Sequence, residues 1–278
     1  VRSFSQQKHI NLFIADCWPN SACRYSKYSK GFQLIPKYQD PEYISAVLAF
    51  CEKQQIDVVL PVHHEDLVEV VKHKKRFEAA GFKLPIPSYD LVALSMDKYK
   101  MAQVAEANGI LAPKTYLVST TDLGTIAASL GFPALVKLRS STGQRGQKKV
   151  YTLEELELQI HTLLNKYSAD NIIVQEYVPG TVRDSMYTVG LLYSYDHELK
   201  ACITLKKIRS LPYTGGTAIC TRAENRADVR EMAIKLLQAC GDWVGIVNVE
   251  IKIAPDGRPL FIEVNPRPWG SMYGSYVT

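Results

Sequence analysis

The chain has 278 residues, 46% of them hydrophobic and 22% charged, with a formal net charge of +5. That balance fits a globular protein of one large domain or two to three small ones, and the mild positive charge suits anionic substrates such as nucleotides. No apolar run approaches the ~18 residues of a membrane span, the start has no signal-peptide core, and the six scattered cysteines form no Cys-x-x-Cys pair, which argues against a zinc cluster and for reduced thiols in the cytoplasm.

Along the chain, the first third alternates strand and helix. The opening residues look like the end of a helix with no strand before it, so the domain is expected to lack its first strand. Residues 11–17 (NLFIADC) and 57–62 (DVVLPV) read as buried strands, 43–55 and 65–80 as helices. This alternation implies a covered parallel sheet. The basic run Lys72-His73-Lys74-Lys75-Arg76 reads as a solvated helix face; without interleaved aromatics it does not suggest a nucleic-acid surface. His63-His64-Glu65-Asp66 reads as a loop or interdomain contact rather than a metal site.

Pro85, Pro87 and Ser88 mark a boundary. A helix at 98–108 follows, then a strand at 115–118, and a helix reaching Leu130 with Thr120 or Thr121 as its cap. The strand Pro133-Ala-Leu-Val-Lys137 enters a polar loop, 140–146. A helix at 153–166 and an apolar strand at 171–178 complete this part. Beyond it come strands at 186–195, 201–209, 217–222, 244–253 and 260–265, with one helix at 226–239. The layout is α/β first and α+β after.

Four segments carry chemistry. On the last strand, Glu263 and Asn265 share a face by the period-two rule, opposite Leu260 and Ile262. Asn248 and Glu250 share a face of the preceding strand, and Pro255-Asp256-Gly257 turns the two into a hairpin that brings Glu250 beside Glu263. Like charges there make most sense around a cation, and hard oxygen ligands suit Mg²⁺; an edge strand with outward polar residues would read the same. Lys137 ends its strand before Arg139-Ser-Ser-Thr-Gly143-Gln-Arg145-Gly146, a loop whose backbone N–H groups could approach phosphate; it is no Walker loop. The strand end at Gln175-Glu176-Tyr177-Val178 could offer backbone groups to an adenine edge. Lys206-Lys207-Ile208-Arg209 ends a basic strand near Gly215-Gly216 and could bind a carboxylate or acyl phosphate, or be solvated.

Taken in order, these segments resemble the ATP-grasp superfamily, closest to its carbamoyl-phosphate-synthase-like and carboxylate–amine ligase members. The loop has fewer glycines than that of biotin carboxylase, and Asn265–Ser271 leans the same way. The resemblance implies a Rossmann-like pre-ATP-grasp α/β domain over 1–88. An ATP-grasp domain follows over 89–278, with a small lid subdomain at about 112–178 and a central-sheet subdomain at about 179–278. It implies that Lys98 and Lys137 contact the phosphates of ATP under the loop that holds Ser141, Thr142, Gly143, Arg145 and Gly146. Gln175, Glu176, Tyr177 and Val178 would meet adenine, Glu176 and Val178 through backbone groups. Asp184 would meet the ribose, although Thr181–Asp184 is longer than the common pattern. Glu250, Glu263 and Asn265 match the ligands of Mg²⁺, expected as two ions with Mn²⁺ as a substitute. Arg267, Arg209 and Lys137 would serve the transferred group.

The reaction so implied activates a carboxylate as an acyl phosphate, turning ATP into ADP, and joins it to an amine or similar nucleophile. Its partners are small carboxylates and amines, not nucleic acid or membrane; a homodimer is left open. Two alternatives stand beside it: a bicarbonate-using carbamoyl-phosphate-synthase-like or carboxylase enzyme, and a non-catalytic nucleotide-binding module. The chain stops soon after Asn-Pro-Arg, where members of this superfamily commonly continue.

Overall fold

The computed structural model of the chain describes residues 7, 9–141, 146–211 and 216–272. Three groups of apolar side chains form three cores, and they fall in sequence order.

The first core belongs to β1 (Phe13–Asp16), β2 (Gly31–Leu34), α1 (Tyr43–Lys53), α2 (His64–Lys72) and α3 (Lys74–Ala79). β1 and β2 pair in parallel, Phe13 opposite Gly31. Val47, Leu67, Phe77 and Leu84 meet beside them. Three expectations are corrected here. β1 is half-buried rather than buried. Residues 57–62 make only a single parallel bridge, Val58 to Lys83, leaving Val58 49% and Val62 61% exposed; among the described residues this stretch has no full strand to pair with. The helix over 65–80 is broken at His73, whose φ of −104° leaves the helical range and ends α2 before α3 begins.

α4 (Tyr89–Met96) and α5 (Lys98–Ala107) then lead away. Ser88 caps α4 through Leu91 N–H, and Asp97 caps α5 by accepting from Tyr99 and Lys100 N–H. α4 has few sequence signals of its own and is not expected from the pattern.

The second core lies under a four-stranded antiparallel sheet. Its strands are β3 (Thr115–Leu117), β4 (Ala134–Leu138), β5 (Lys148–Val150) and β6 (Ile172–Glu176), in the order β3-β6-β4-β5. α6 (Leu123–Leu130) and α7 (Leu153–Leu164) cover one face, so that Ile126, Val136, Leu156 and Val174 pack together. The cap of α6 is Asp122, which accepts from Thr125 N–H, and not Thr120 or Thr121. A carboxylate one residue nearer the helix does what the threonines were expected to do.

The third core carries the short α8 (Val182–Ser185), β7 (Met186–Tyr193), β8 (Leu199–Leu211), β9 (Thr217–Ala223), α9 (Ala227–Cys240), β10 (Gly245–Ile253) and β11 (Pro259–Asn265). The five strands run antiparallel in the order β11-β10-β7-β8-β9. Val229, Ala233, Leu236 and Leu237 of α9 are fully buried against Tyr187, Val189 and Val247. Each large side chain so buried contributes about 1.5–3 kcal/mol. The first and third units meet tightly at Gly245, at φ +81°, where a Cβ would lie 1.8 Å from the Pro85 carbonyl oxygen.

Candidate active site

The α6/α7 sheet and the five-stranded sheet face each other across a cavity of about 1180 Å³. Its floor is the β10–β11 hairpin. Glu250 pairs with Glu263 and Asn248 with Asn265, so the expected neighbours are in register. One detail differs. A bulge between Glu250 and Ile251 leaves Ile262 unpaired and resets the alternation. Phe261 and Val264 go to the core, while Ile262 lines the cavity on the same side as Glu263 and Asn265.

The acids are not alone on the floor. Lys207, whose side chain is only 5% exposed, donates from Nζ to Glu250 Oε1 at 2.6 Å. Asn265 Nδ2 donates to Glu263 Oε1 at 3.2 Å and lies 3.5 Å from Asn248 Oδ1. Burial, with Glu263 opposite, holds the Glu250 carboxyl above the usual range in spite of Lys207. Burial would raise Glu263 too, but Lys98, the Asn265 hydrogen bond, Lys207 and Lys137 together hold it below the usual range. The ionised form is thus favoured at Glu263 and disfavoured at Glu250 by burial and by the like charge of Glu263, a condition a divalent cation relieves. Among the described residues no group of three or more His, Cys, Asp or Glu side chains gathers to hold a metal. Two carboxylates and an amide form a partial shell of hard oxygens, which suits an ion that completes its sphere with phosphate oxygens and water.

The walls are cationic. Lys137, at the end of β4, is buried and donates to Gln175 Oε1 at 2.7 Å; Gln175 Nε2 in turn donates to Thr115 Oγ1 at 2.8 Å. A hydrogen-bonded row across β4, β6 and β3 therefore aims the lysine. Burial pulls the Lys137 ammonium down to about 8, with Lys98 and Lys252 adding to the effect. Lys98, the first residue of α5, donates to Ser141 O at 2.7 Å. Its placement depends on an ion pair absent from the sequence reading: Arg139 Nε and Nη2 grip Asp97 Oδ1 and Oδ2 at 2.8 and 2.6 Å. The residue that caps α5 is also the anchor for the end of β4.

Lys98, Lys137, Ser141, Gln175, Glu176, Tyr177, Val178, Arg209, Glu250, Glu263, Asn265 and Arg267 all line this one cavity. Glu176 N–H donates to Lys114 O and its carboxylate accepts from Lys114 N–H. The Val178 carbonyl accepts from Lys252 Nζ at 2.7 Å. Arg209 stands exposed at the cavity's edge. Two expected residues lie elsewhere. Asp184 is exposed and spends its carboxylate on the Thr181 hydroxyl at 2.5 Å, as part of the turn that starts α8. Gly146, at φ +69°, packs over Leu138 and Leu163 and serves the turn into β5. Thr142, Gly143 and Arg145 fall outside the described residues.

Sequence reasoning missed five cavity residues. Lys207 was visible only as one of a basic run; strand alternation tells which lysine points in. Lys149 sits with Nζ 3.7 Å from the centre of the Tyr177 ring, and Lys252 Nζ lies 5.5 Å from it. Trp269 covers the sheet at Gly190, where a Cβ would lie 2.0 Å from the indole. His64, read as a loop or interdomain contact, lines the cavity. Apart from Lys207, with its strand alternation, none of these has a local sequence signal.

Fold and site together define a two-sheet clasp with an acidic floor and cationic walls. Residues 95–271 match the model of the ATP-grasp domain, and residues 1–85 match that of the PylC-like N-terminal domain. The chain belongs to the ATP-grasp family. It is 23% identical over 248 residues to the carbamoyl phosphate synthase large chain of Myxococcus xanthus, covering 83% of this chain and 22% of that one. It is 29% identical over 160 residues to carnosine synthase 1 of Gallus gallus, covering 52% and 17%. Its fold is similar to biotin carboxylase of Campylobacter jejuni (TM-score 0.74, 17% identity, 99% of this chain and 64% of that one). It is also similar to an L-amino acid ligase of Bacillus licheniformis (TM-score 0.69, 16% identity, 99% and 65%). The chain thus spans about a fifth of the two curated relatives and under two thirds of each solved enzyme.

Proposed function

We propose that the protein is an ATP-dependent ligase that activates a small carboxylate as an acyl phosphate and joins it to an amine. The observation that carries this reading is Glu250 and Glu263 in register on the floor, beneath a cavity that also holds Lys98 and Lys137. Phosphoryl transfer asks for positioning and charge neutralisation rather than a protein nucleophile, and this cavity supplies charge. Relatives named as an L-amino acid ligase and a carnosine synthase support the same class. Two domains divided near residue 88 and a cytoplasmic location fit this reading.

In the first step a carboxylate oxygen attacks the γ-phosphorus and ADP departs. Lys137 and Lys98 offset the phosphate charge, while Arg267 and Arg209 face the group being transferred. Glu250, Glu263 and Asn265 would hold Mg²⁺, as one or two ions with Mn²⁺ as a substitute. Bound there, the metal would neutralise phosphate charge. In the second step an amine displaces phosphate from the acyl carbon.

The test is Mg²⁺-dependent phosphate release from ATP, measured with single amino acids and small carboxylates, then with amines added. Release that needs both substrates, and that Glu263→Ala abolishes, is the expected result; unchanged turnover in that variant would overturn the metal assignment. A similar fold, the biotin carboxylase domain of a 2-oxoglutarate carboxylase of Hydrogenobacter thermophilus, was solved with bicarbonate, which makes bicarbonate a second candidate carboxylate. Bicarbonate alone stimulating release would turn the reading that way. Nucleotide binding without turnover under every condition would reduce the protein to a binding module.

A further inference from the structure

Strand pairing rules the cavity floor into rows. β7 and β10 are in antiparallel register, with Lys252 opposite Met186, Glu250 opposite Thr188 and Asn248 opposite Gly190. Directly paired residues share a face, and every second residue along a strand returns to it, so these pairs make three successive rows about 7 Å apart on the cavity side. Met186, Thr188, Asn248, Glu250 and Lys252 all line the cavity. The first row adjoins the exit of β6, because Lys252 Nζ donates to Val178 O at 2.7 Å. The second row holds Glu250 with Glu263 beside it, and the third holds Asn248 with Asn265 beside it.

Trp269 stands on the third row. A Cβ at Gly190 would lie 2.0, 2.5 and 3.1 Å from Cη2, Cζ2 and Cζ3 of Trp269, so the six-membered ring of the indole takes the place of a Gly190 side chain. The next residue ties the same turn to the far edge of the sheet: a Cβ at Gly270 would lie 2.9 Å from Thr217 Cγ2, on β9. The turn after Asn265 therefore crosses from β11 to β9, with Trp269 as its bulk. The indole is only partly buried and lines the cavity, as Arg267 does two residues earlier. Its neighbours along the turn and on β9, Gly270, Ser271, Thr217 and Ala218, also line the cavity, and all are small and uncharged.

A nucleotide with its base at the exit of β6 and its phosphates over Glu250 and Glu263 runs along the first two rows. The group that receives the γ-phosphoryl then lies past the second row, at the third. We infer that Trp269 is the wall of the carboxylate pocket and sets its size. The indole fills the room above Gly190 that a long or branched carbon skeleton would need, and leaves a pocket for acids of acetate, glycine or alanine size. The selection is steric: a larger acid meets the ring before its carboxylate oxygen reaches the in-line position that attack on the γ-phosphorus requires. This inference rests on the acyl-phosphate reading above and names the substrate class of that site.

Hydroxylamine displaces phosphate from an acyl phosphate and leaves a hydroxamate, so activation can be measured without the amine substrate. Two size series are offered with Mg²⁺–ATP and hydroxylamine: glycine, alanine, leucine and phenylalanine, and acetate, propionate, hexanoate and phenylacetate. In the wild type, kcat/KM for hydroxamate is expected to be at least tenfold higher for the small acids than for the bulky ones. Trp269→Ala should raise the bulky-to-small ratio about tenfold or more, and Trp269→Phe, which keeps a smaller ring over Gly190, should raise it less. The ratio is the readout because a turn that shifts and carries Arg267 with it slows all acids alike. An equal loss for every acid, with the ratio unmoved in both variants, would overturn the inference. So would wild-type use of leucine or hexanoate as readily as the small acids, a comparison that needs no variant to fold. Absence of hydroxamate from the wild type with every carboxylate, small or bulky, would remove the acyl-phosphate reading itself, and the role of Trp269 with it.

Discussion

Lys207 Nζ reaches over β7 to donate to Glu250 Oε1 at 2.6 Å, so that the floor of the cavity holds one buried cation beside two carboxylates. The pair joins β8 to β10 and offsets part of the negative charge of the acidic hairpin. Removing one member of a buried ion pair costs about 3–5 kcal/mol because the other is left uncompensated. Lys207→Met should therefore destabilise the fold by about that amount in urea unfolding. Adding Glu250→Gln to it should recover most of the loss, since the like-charge contact with Glu263 disappears as well. A double variant no more stable than Lys207→Met would show that the lysine acts through packing alone.

Lys137 gives a pH signature with two opposite slopes. Its ammonium titrates near 8 in the folded chain and near the ordinary lysine value of 10.5 when unfolded. Between these limits the unfolded chain holds more protons, so this group's contribution to stability rises with pH, by up to about 1.4 kcal/mol per pH unit. ATP affinity should move the other way, weakening threefold to tenfold from pH 7 to pH 9.5 as the lysine loses its charge. Lys137→Arg stays charged and should flatten the affinity profile. Calorimetric titration at both pH values checks it; a wild-type affinity independent of pH would mean that the phosphates do not meet Lys137.

The Asp97–Arg139 clamp is tested by separating its two duties. Asn caps a helix about as well as Asp, so Asp97→Asn should keep α5 intact while losing the ion pair that aligns Lys98 with the end of β4. ATP binding is expected to weaken about tenfold, together with a loss of thermal stability from the broken ion pair. Asp97→Ala loses the cap too, and should cost about 1 kcal/mol more. Equal ATP affinity in Asp97→Asn and wild type would show that Lys98 needs no such alignment.

Gly190 is required by Trp269. A methyl group there would lie 2.0 Å from the indole, so Gly190→Ala must push Trp269 and the Pro-Arg-Pro-Trp loop off the sheet. Overpacking of this kind costs about 1–3 kcal/mol. Phosphate release should fall far more than stability does, because Arg267 sits in the displaced loop. Retained activity with a quenched tryptophan spectrum would separate the loop's position from its role.

Much of this site was legible before any coordinates. The β10–β11 hairpin follows from period-two alternation around a Pro-Asp-Gly turn, and the register of Glu250 with Glu263 bears it out. The helix expected over 98–108 forms over Lys98–Ala107, and the Asp97 cap that starts it came only with the structure. Alternation failed at Ile262, because a bulge adds a residue that no local pattern announces. Residues 57–62 look like a buried strand by composition, yet burial of a strand depends on neighbours elsewhere in the chain. Asp184 had the right residue type in the right region, but a nearby threonine hydroxyl was a closer partner.

The amino-acid sequence by itself determined the family, the order of the strands that carry Lys137, Glu250 and Glu263, and the charge those residues bring, since each depends on local spacing and residue type. Only the tertiary structure decided which lysine neutralises Glu250, how Asp97 ties Lys98 to Arg139, that Trp269 lies on Gly190, and that His64 from the first unit enters the cavity. Those contacts join residues far apart in the chain, and packing, not local preference, chooses them.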